Sequence, residues 1–376
     1  KEIADTLHGA NILAAHTLDH GGIATGLSKM AFGNGIGASI KTDINLHQER
    51  FLSFLIESKE EITGGIVIGK TQIEPTIQVG SDALKLGELY DAWTNPLSEI
   101  YPETADPSTS EADTFKSTFE AKHSTTKSQN PKVIIPAFPG TNSEYDSAKA
   151  FREAGALAEI QIFRNLTPQA VEESLADLAE SIRKSQILML PGGFSAGDEP
   201  AGSGKFIATI LRSPEVADAV MDLLKNRDGL ILGICNGFQA LIKTGLVPYG
   251  EIREPKPGDP TLTFNDIGRH IARYATTRIS STQSPWLADT QVGDLHNIPF
   301  SHGEGKFYAN EEDLRKLAAT GQIATQYTDL SGQPTMAPEF NPNGSIHAIE
   351  GISSPCGRVL GEGTHHLGAH LGLGER

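Results

Sequence analysis

The chain has 376 residues, a formal net charge of −16 and two cysteines, Cys235 and Cys356. That length exceeds a usual single domain and predicts two folded units, each able to bury a core. The charge argues against a nucleic-acid or anionic-membrane partner, two cysteines build no disulfide framework and fit a reducing cytoplasm, and no run of about 18 apolar residues predicts a transmembrane helix.

The chain opens at Lys1 without a charged-then-apolar leader, which fits neither a secretory signal nor a native start and suggests a piece of something longer. Residues 1–104 are expected as the first unit. Ile12 to Ala15 and Ile23 to Met30 read as helical, Gly33 to Gly37 as a turn cluster, and Phe51 to Ile56 and Ile66 to Ile68 as strands. Gly-Gly pairs occur at Gly21 and Gly64 without a phosphate-loop pattern, so no complete nucleotide site is expected here. Between Tyr101 and Asn130 the composition shifts to Pro, Ser, Thr, Lys and Glu. Residues 105–130 therefore read as a solvated linker, with one short helix around Phe115 to Ala121.

From 131 to 376 the pattern alternates strand and helix. Val133 to Pro136, Ala158 to Phe163, Ile187 to Leu190 and Leu230 to Ile234 read as strands, with helices over Tyr145 to Ala154, Pro168 to Ser181 and Pro214 to Leu224. Such alternation predicts an α/β fold whose parallel sheet gathers ligands at the carboxyl ends of its strands. Beyond Val247 short strands at Thr263 to Asn265, Ile271 to Thr277, Ile298 to Ser301 and Ile346 to Ile349 predict a more antiparallel half.

Cys235 follows the apolar run Leu230 to Ile234 and precedes the helix former stretch Phe238 to Lys243. A nucleophile on such a strand-to-helix turn exposes its sulfur above the sheet, with Gly233 and Gly237 leaving room for tight backbone. The helix start offers N–H groups to an oxyanion, and its dipole favours a thiolate. The opposing reading is a buried, inert cysteine. Pro191-Gly192-Gly193-Phe194-Ser195, also after a strand, is either a second source of oxyanion donors or a plain tight turn. The nearby Asp198 and Glu199 are either ligands to a substrate ammonium or part of a solvated loop.

Ser301-His302-Gly303-Glu304-Gly305 offers a base and an orienting carboxylate, or else a substrate loop shaped by His302. The terminal histidines His365, His366 and His370, even with Glu362 and Cys356, complete no recognised zinc spacing, and no metal site is expected.

Four ordered motifs, Pro136 to Asn142, Leu190 to Asp198, Gly233 to Gln239 and Ser301 to Gly305, resemble the triad-type (class I, flavodoxin-like) glutamine amidotransferase domain of phosphoribosylformylglycinamidine synthases. Ala14 to Ala24 and Met30 to Gly37 are similar to the last part of the α+β synthetase region in single-chain members. The resemblance implies that Cys235 attacks the glutamine carboxamide to give a thioester and ammonia. It implies that Asn236 with Gly192 or Gly193 supplies the oxyanion donors, and that Phe194 and Gln239 line the glutamine pocket.

It assigns His302 to a separate family motif at the substrate. It also implies no cofactor in the amidotransferase domain, and ATP and magnesium in a synthetase region of the same chain that receives the ammonia. The family's His-x-Glu base, counted from Gly357-Arg-Val-Leu-Gly, falls on His365, with Leu367 where the glutamate stands. Two expectations compete: a His365 unsupported by a carboxylate, or a change of reading frame after about Ser354. A stand-alone cysteine amidase and a non-catalytic module are the other readings, the second favoured by Leu367.

Overall fold

The computed structural model describes residues 12–108, 110–119, 129–197 and 203–363. The chain divides into two units, Lys1–Glu103 and Thr104–Arg376. The first contains, in order, β1 (Ile12–Thr17), α1 (Gly22–Phe32), β2 (Gly37–Ile40), β3 (Phe54–Ser58), β4 (Gly69–Gln72), β5 (Thr76–Val79), β6 (Asp82–Lys85) and α2 (Leu86–Thr94). β1 pairs with β3, and a four-stranded sheet runs β4-β2-β5-β6. Its small core joins Ala31, Ala38, Ile40, Ile77 and Leu86.

Ile12 to Ala15, expected as helix, belongs to β1. Its side chains alternate between half-buried and exposed, a period of two that a strand satisfies and a helix does not. The strand expected at Ile66 to Ile68 starts instead at Gly69, whose missing side chain lets Ser39 O approach closely.

The second unit is built on strands that are apolar on both faces. In order they and their helices are β7 (Lys132–Ala137), α3 (Glu144–Glu153), β8 (Leu157–Ile162), α4 (Pro168–Lys184), β9 (Ile187–Leu190), α5 (Lys205–Arg212), α6 (Pro214–Lys225), β10 (Leu230–Ile234) and α7 (Asn236–Thr244). Then come β11 (Thr261–Thr263), β12 (Ile271–Ile279), β13 (Leu295–His302), β14 (Lys306–Tyr308), α8 (Glu311–Ala319), β15 (Ile323–Tyr327), β16 (Ile349–Ser353) and β17 (Val359–Glu362). Thr167 starts α4 by accepting from Ala170 N at 3.1 Å, with Pro168 in the first turn where its missing N–H costs nothing.

Nine strands form one sheet in the order β13-β12-β15-β16-β17-β10-β9-β7-β8. Counting only β7, β8, β9, β10 and β17, which are parallel, gives the doubly wound order 2-1-3-4-5. The remaining four are antiparallel and continue the same sheet, so the expected parallel architecture is a mixed one.

Alternation within each strand makes two cores. Ile134, Leu188, Leu190, Ile231 and Val359 pack with α4, α5, α6 and α7, while Val133, Ile135, Met189, Leu232 and Leu360 pack with α3 and Trp286. The direction of β7 and β9, which flank the reversal of strand order, sets the loops after them side by side. Among the described residues no helix is long and apolar enough to cross a membrane.

Two further expectations are corrected. Residues 110–119 hold no helix, and part of the stretch read as a solvated linker is a strap seated on the second unit. Ser117 N donates to Ser280 O at 2.8 Å, and Phe115 N donates to Gln326 Oε1 at 3.0 Å. Gln326 Nε2 donates to Asp113 O at 2.8 Å and His347 O at 2.7 Å. A buried amide on β15 recruits the polar backbone, which composition alone does not reveal. The pattern expected to lapse after about Ser354 continues as well. β17 is wholly buried between β10 and β16, so the chain follows the fold at least to Gly363.

Gln326 has no solvent exposure, so truncating it strands several strap and sheet groups at once. Gln326→Ala is expected to cost about 2–4 kcal/mol in chemical denaturation and to raise amide exchange at Phe115 and Ser117 selectively. Unchanged exchange at those amides would show that the strap is held by other contacts.

Candidate active site

Cys235 joins β10 to α7 at φ 52, ψ −105, a conformation that a residue with a side chain adopts only when its surroundings impose it. Close packing imposes it here. A Cβ at Gly237 would lie 2.0 Å from Leu190 O, and one at Gly233 would lie 2.4 Å from Leu241 Cδ1. Cys235 N donates to Glu362 O at 2.8 Å, and Gln239 N donates to Cys235 O at 3.0 Å. The junction is thus pinned from β17 and from the first turn of α7. Cys235 is 8% exposed, with its Sγ 3.5 Å from Ser301 O.

The loops after β7 and β9 meet beside it. Phe194 N donates to Gly140 O at 2.8 Å, Asn142 N to Gly192 O at 3.0 Å, and Ala196 N to Pro139 O at 2.7 Å. Gly193 lies between these bonds and its N–H is in none of them. At φ 146 its Cα faces Gly140 O so closely that a Cβ would lie 2.5 Å from it, which is why a glycine stands there. Phe194 is half exposed, its ring 6.3 Å from that of His270. His270 Nε2 in turn lies 3.2 Å from Ser301 Oγ.

A chain of side-chain amides ties three loops together. Ser195 N donates to Asn236 Oδ1 at 3.2 Å, Asn236 Nδ2 to Gln239 Oε1 at 2.9 Å, and Gln239 Nε2 to Glu304 O at 2.7 Å. Both amides are buried. Gln239, expected at the glutamine pocket, is placed as a brace between α7 and the loop after β13. Gly192, Gly193, Phe194, Asn236, Gln239 and Cys235 are therefore brought together.

His302 ends β13 and is buried, with its ring over Gly305 so that a Cβ there would be 2.1 Å from its Cε1. Glu304 is turned another way and accepts from Ser203 N at 3.0 Å. The strand ends at His302, and with it the rule that residues two apart share a face.

Glu350 on β16 approaches Gly363, as His302 and Tyr327 do. A Cβ at Gly363 would lie 3.5 Å from His302 Nε2, 3.6 Å from Glu350 Oε1 and 3.7 Å from Tyr327 Oη. Glu350 Oε2 accepts from Thr325 Oγ1 at 2.5 Å, and Tyr327 Oη accepts from Asn343 Nδ2 at 3.1 Å. Burial, reinforced by the Glu350 and Cys235 charges, pushes the Tyr327 phenol well above its ordinary range. Sequence reading missed Glu350 and Tyr327; the available signal was one acid inside the apolar run Ile349 to Ile352. His365, Asp198 and Glu199 lie outside the described residues. Among the described residues no three metal-ligating side chains cluster.

Residues 130–367 match the CobB/CobQ-like glutamine amidotransferase domain. The chain is similar to phosphoribosylformylglycinamidine synthase subunit PurQ of Aquifex aeolicus, 30% identical over 249 residues covering 64% of this chain and 96% of that protein. The same subunit of Treponema denticola is 35% identical over 248 residues, covering 62% and 87%. Among solved structures, PurLQS from Thermotoga maritima has 22% identity and a TM-score of 0.45, covering 63% of this chain and 87% of that one.

Two measurements probe this geometry. Gly193→Ala forces a Cβ against backbone, so it is expected to disrupt the paired loops and cut any Cys235-dependent activity at least about tenfold, while denaturant stability falls by only about 1–3 kcal/mol. Retained activity would place the site elsewhere.

The second is alkaline stability. Burial, with donation to Asp259, raises Tyr249 to about 12, and Tyr327 is raised too. Folded values above the unfolded value of about 10 mean a contribution intact below pH 10 and lost as pH climbs through about 12. Melting temperature should therefore begin to fall above about pH 10. Ionisation of all seven tyrosines in the still-folded chain would contradict this.

Proposed function

The chain belongs to the CobB/CobQ-like glutamine amidotransferase family, with a PurQ-type domain in its second unit, and on that premise we propose that it hydrolyses glutamine through a Cys235 thioester. The observation that carries this is the strained Cys235 backbone at the head of α7, facing a loop with a glycine amide outside its own pairing.

In the proposed reaction the Cys235 thiolate adds to the carboxamide carbon. The oxygen takes up the negative charge, and the N–H of Asn236 and that of Gly192 or Gly193 receive it. Loss of one such donor costs about 3 kcal/mol in the barrier. Collapse breaks the C–N bond, the nitrogen leaves as ammonia after accepting a proton, and water then releases glutamate from the sulfur. His365, the base that the resemblance assigns, supplies and accepts those protons in this reading. Phe194 with His270 frames the mouth through which glutamine enters.

The ammonia would serve conversion of formylglycinamide ribonucleotide to formylglycinamidine ribonucleotide, the reaction in the names of the PurQ relatives. The acceptor would be an ATP- and magnesium-dependent synthetase region, of which the first unit would form a part. The alternative, an impaired module with a structural or regulatory role, is favoured by Leu367 in the place of the family's glutamate.

Cys235→Ser in the full chain is expected to lower glutamine-dependent glutamate release by at least about 10³-fold. A diazo-ketone glutamine analogue should label Cys235 and spare Cys356. A chain that neither turns over glutamine nor reacts with the analogue, although folded, would establish the impaired module.

A further inference from the structure

The loop that follows β13 is tied down from two sides, and the ties fix which way its peptides face. Asn265, between β11 and β12, is 2% exposed and commits both ends of its amide and its backbone N–H. The backbone N–H donates to Gly303 O at 2.9 Å, Nδ2 donates to His302 O at 2.8 Å and to Arg269 O at 3.2 Å, and Oδ1 accepts from Gly305 N at 3.1 Å. A reversed amide would set its oxygen against two carbonyls, so the side chain has one orientation. The other tie comes from α7, where Gln239 Nε2 donates to Glu304 O at 2.7 Å.

In a trans peptide the N–H points opposite to the carbonyl of the residue before it. The peptide joining Glu304 to Gly305 has its carbonyl on Gln239 and its N–H on Asn265, so Asn265 and α7 stand on opposite sides of the loop. The two peptides before it have their carbonyls on Asn265. Their N–H groups, those of Gly303 and Glu304, therefore point away from Asn265 to the side of α7, and among the described residues they donate to no acceptor. Cys235 is on that side: it heads α7, and its sulfur is 3.5 Å from Ser301 O, just ahead of the loop. Two adjacent amide donors, one on a glycine with no side chain to shield it, fit the oxygens of a carboxylate.

We propose that Asn265 is a positioning residue of the glutaminase: it turns the Gly303 and Glu304 amides to the side of the nucleophile, where they receive the carboxylate at the amino-acid end of glutamine. The inference rests on the glutaminase reading of Cys235. Asn265 touches neither substrate nor sulfur in it. Without its side chain the peptides of the loop are free to rotate, so the loss falls on binding of the amino-acid end and not on the reactivity of the sulfur.

The test compares two electrophiles on Cys235 of the full chain, in a Cys356→Ser background, read by mass spectrometry. The diazo-ketone glutamine analogue carries the amino-acid end, and iodoacetamide lacks it. Asn265→Ala should raise the half-saturating concentration of the analogue at least about tenfold, the loss expected for donors to a charged group, with the limiting labelling rate retained. Alkylation by iodoacetamide should stay within about twofold of the unaltered chain. An unmoved half-saturating concentration in a variant with the native melting curve overturns the proposal, as does an equal slowing of both reagents, which would place the effect at the sulfur.

Should the variant not fold, amide exchange in the unaltered chain decides. The Gly305 N–H must be protected without ligand, and those of Gly303 and Glu304 must gain protection once the analogue is attached; exchange unchanged at those two amides overturns the proposal. A chain whose Cys235 takes iodoacetamide but never the analogue would sink the glutaminase reading and this inference with it. Labelling whose concentration dependence ignores Asn265→Ala would sink this inference alone.

Discussion

The structure of the second unit depends on one constraint, the backbone of Cys235 held at φ 52 between β10 and α7. Held there, the residue cannot relax into strand or helix. Its sulfur is presented at the carboxyl edge of the sheet, and the first N–H groups of α7 face the same space. The strain is sustained by contact with no slack, since Gly233, Gly237 and Gly361 each stand where a Cβ would overlap Leu241, Leu190 or Phe238. The conformation at this point is a consequence of packing several residues away.

Around that point the two halves of the sheet divide the labour. The parallel half, with its strand order reversing between β7 and β9, brings the loops of Gly140 and Gly193 together. The antiparallel half places the ionisable groups, Tyr327, Glu350 and His302, on the other side. Gly363 lies where these meet. The amides of Asn236 and Gln239 link the parallel half to the loop after β13.

Much of the parallel half was legible from sequence because its signals are local. Ile187 to Leu190 and Leu230 to Ile234 are continuous apolar runs, and both are strands with those bounds. Gly-Ile-Cys-Asn-Gly announced the elbow. The antiparallel half was less legible. β15 passed unnoticed, since Ile323 to Tyr327 mixes apolar with polar side chains, and β17 was marked only through the resemblance at Gly357-Arg-Val-Leu-Gly, its short Val359–Glu362 ending in a buried acid. Glu350 gains its meaning only when β16 is laid between β15 and β17, a pairing that no sequence spacing encodes. The same reason explains the strap. Phe115 and Asp113 are polar-rich surroundings by composition, yet a single buried amide, Gln326, gives their backbone a partner more than two hundred residues away.

The central claim is that Cys235 opens a side-chain amide and carries the acyl group. Acid quench of the full chain during turnover of radiolabelled glutamine, followed by peptide mapping, measures it directly. The account predicts label on the peptide containing Cys235, released by neutral hydroxylamine as a thioester is, with ammonia formed in step. Turnover of glutamine with no label on that peptide, or with label on another residue, would contradict it.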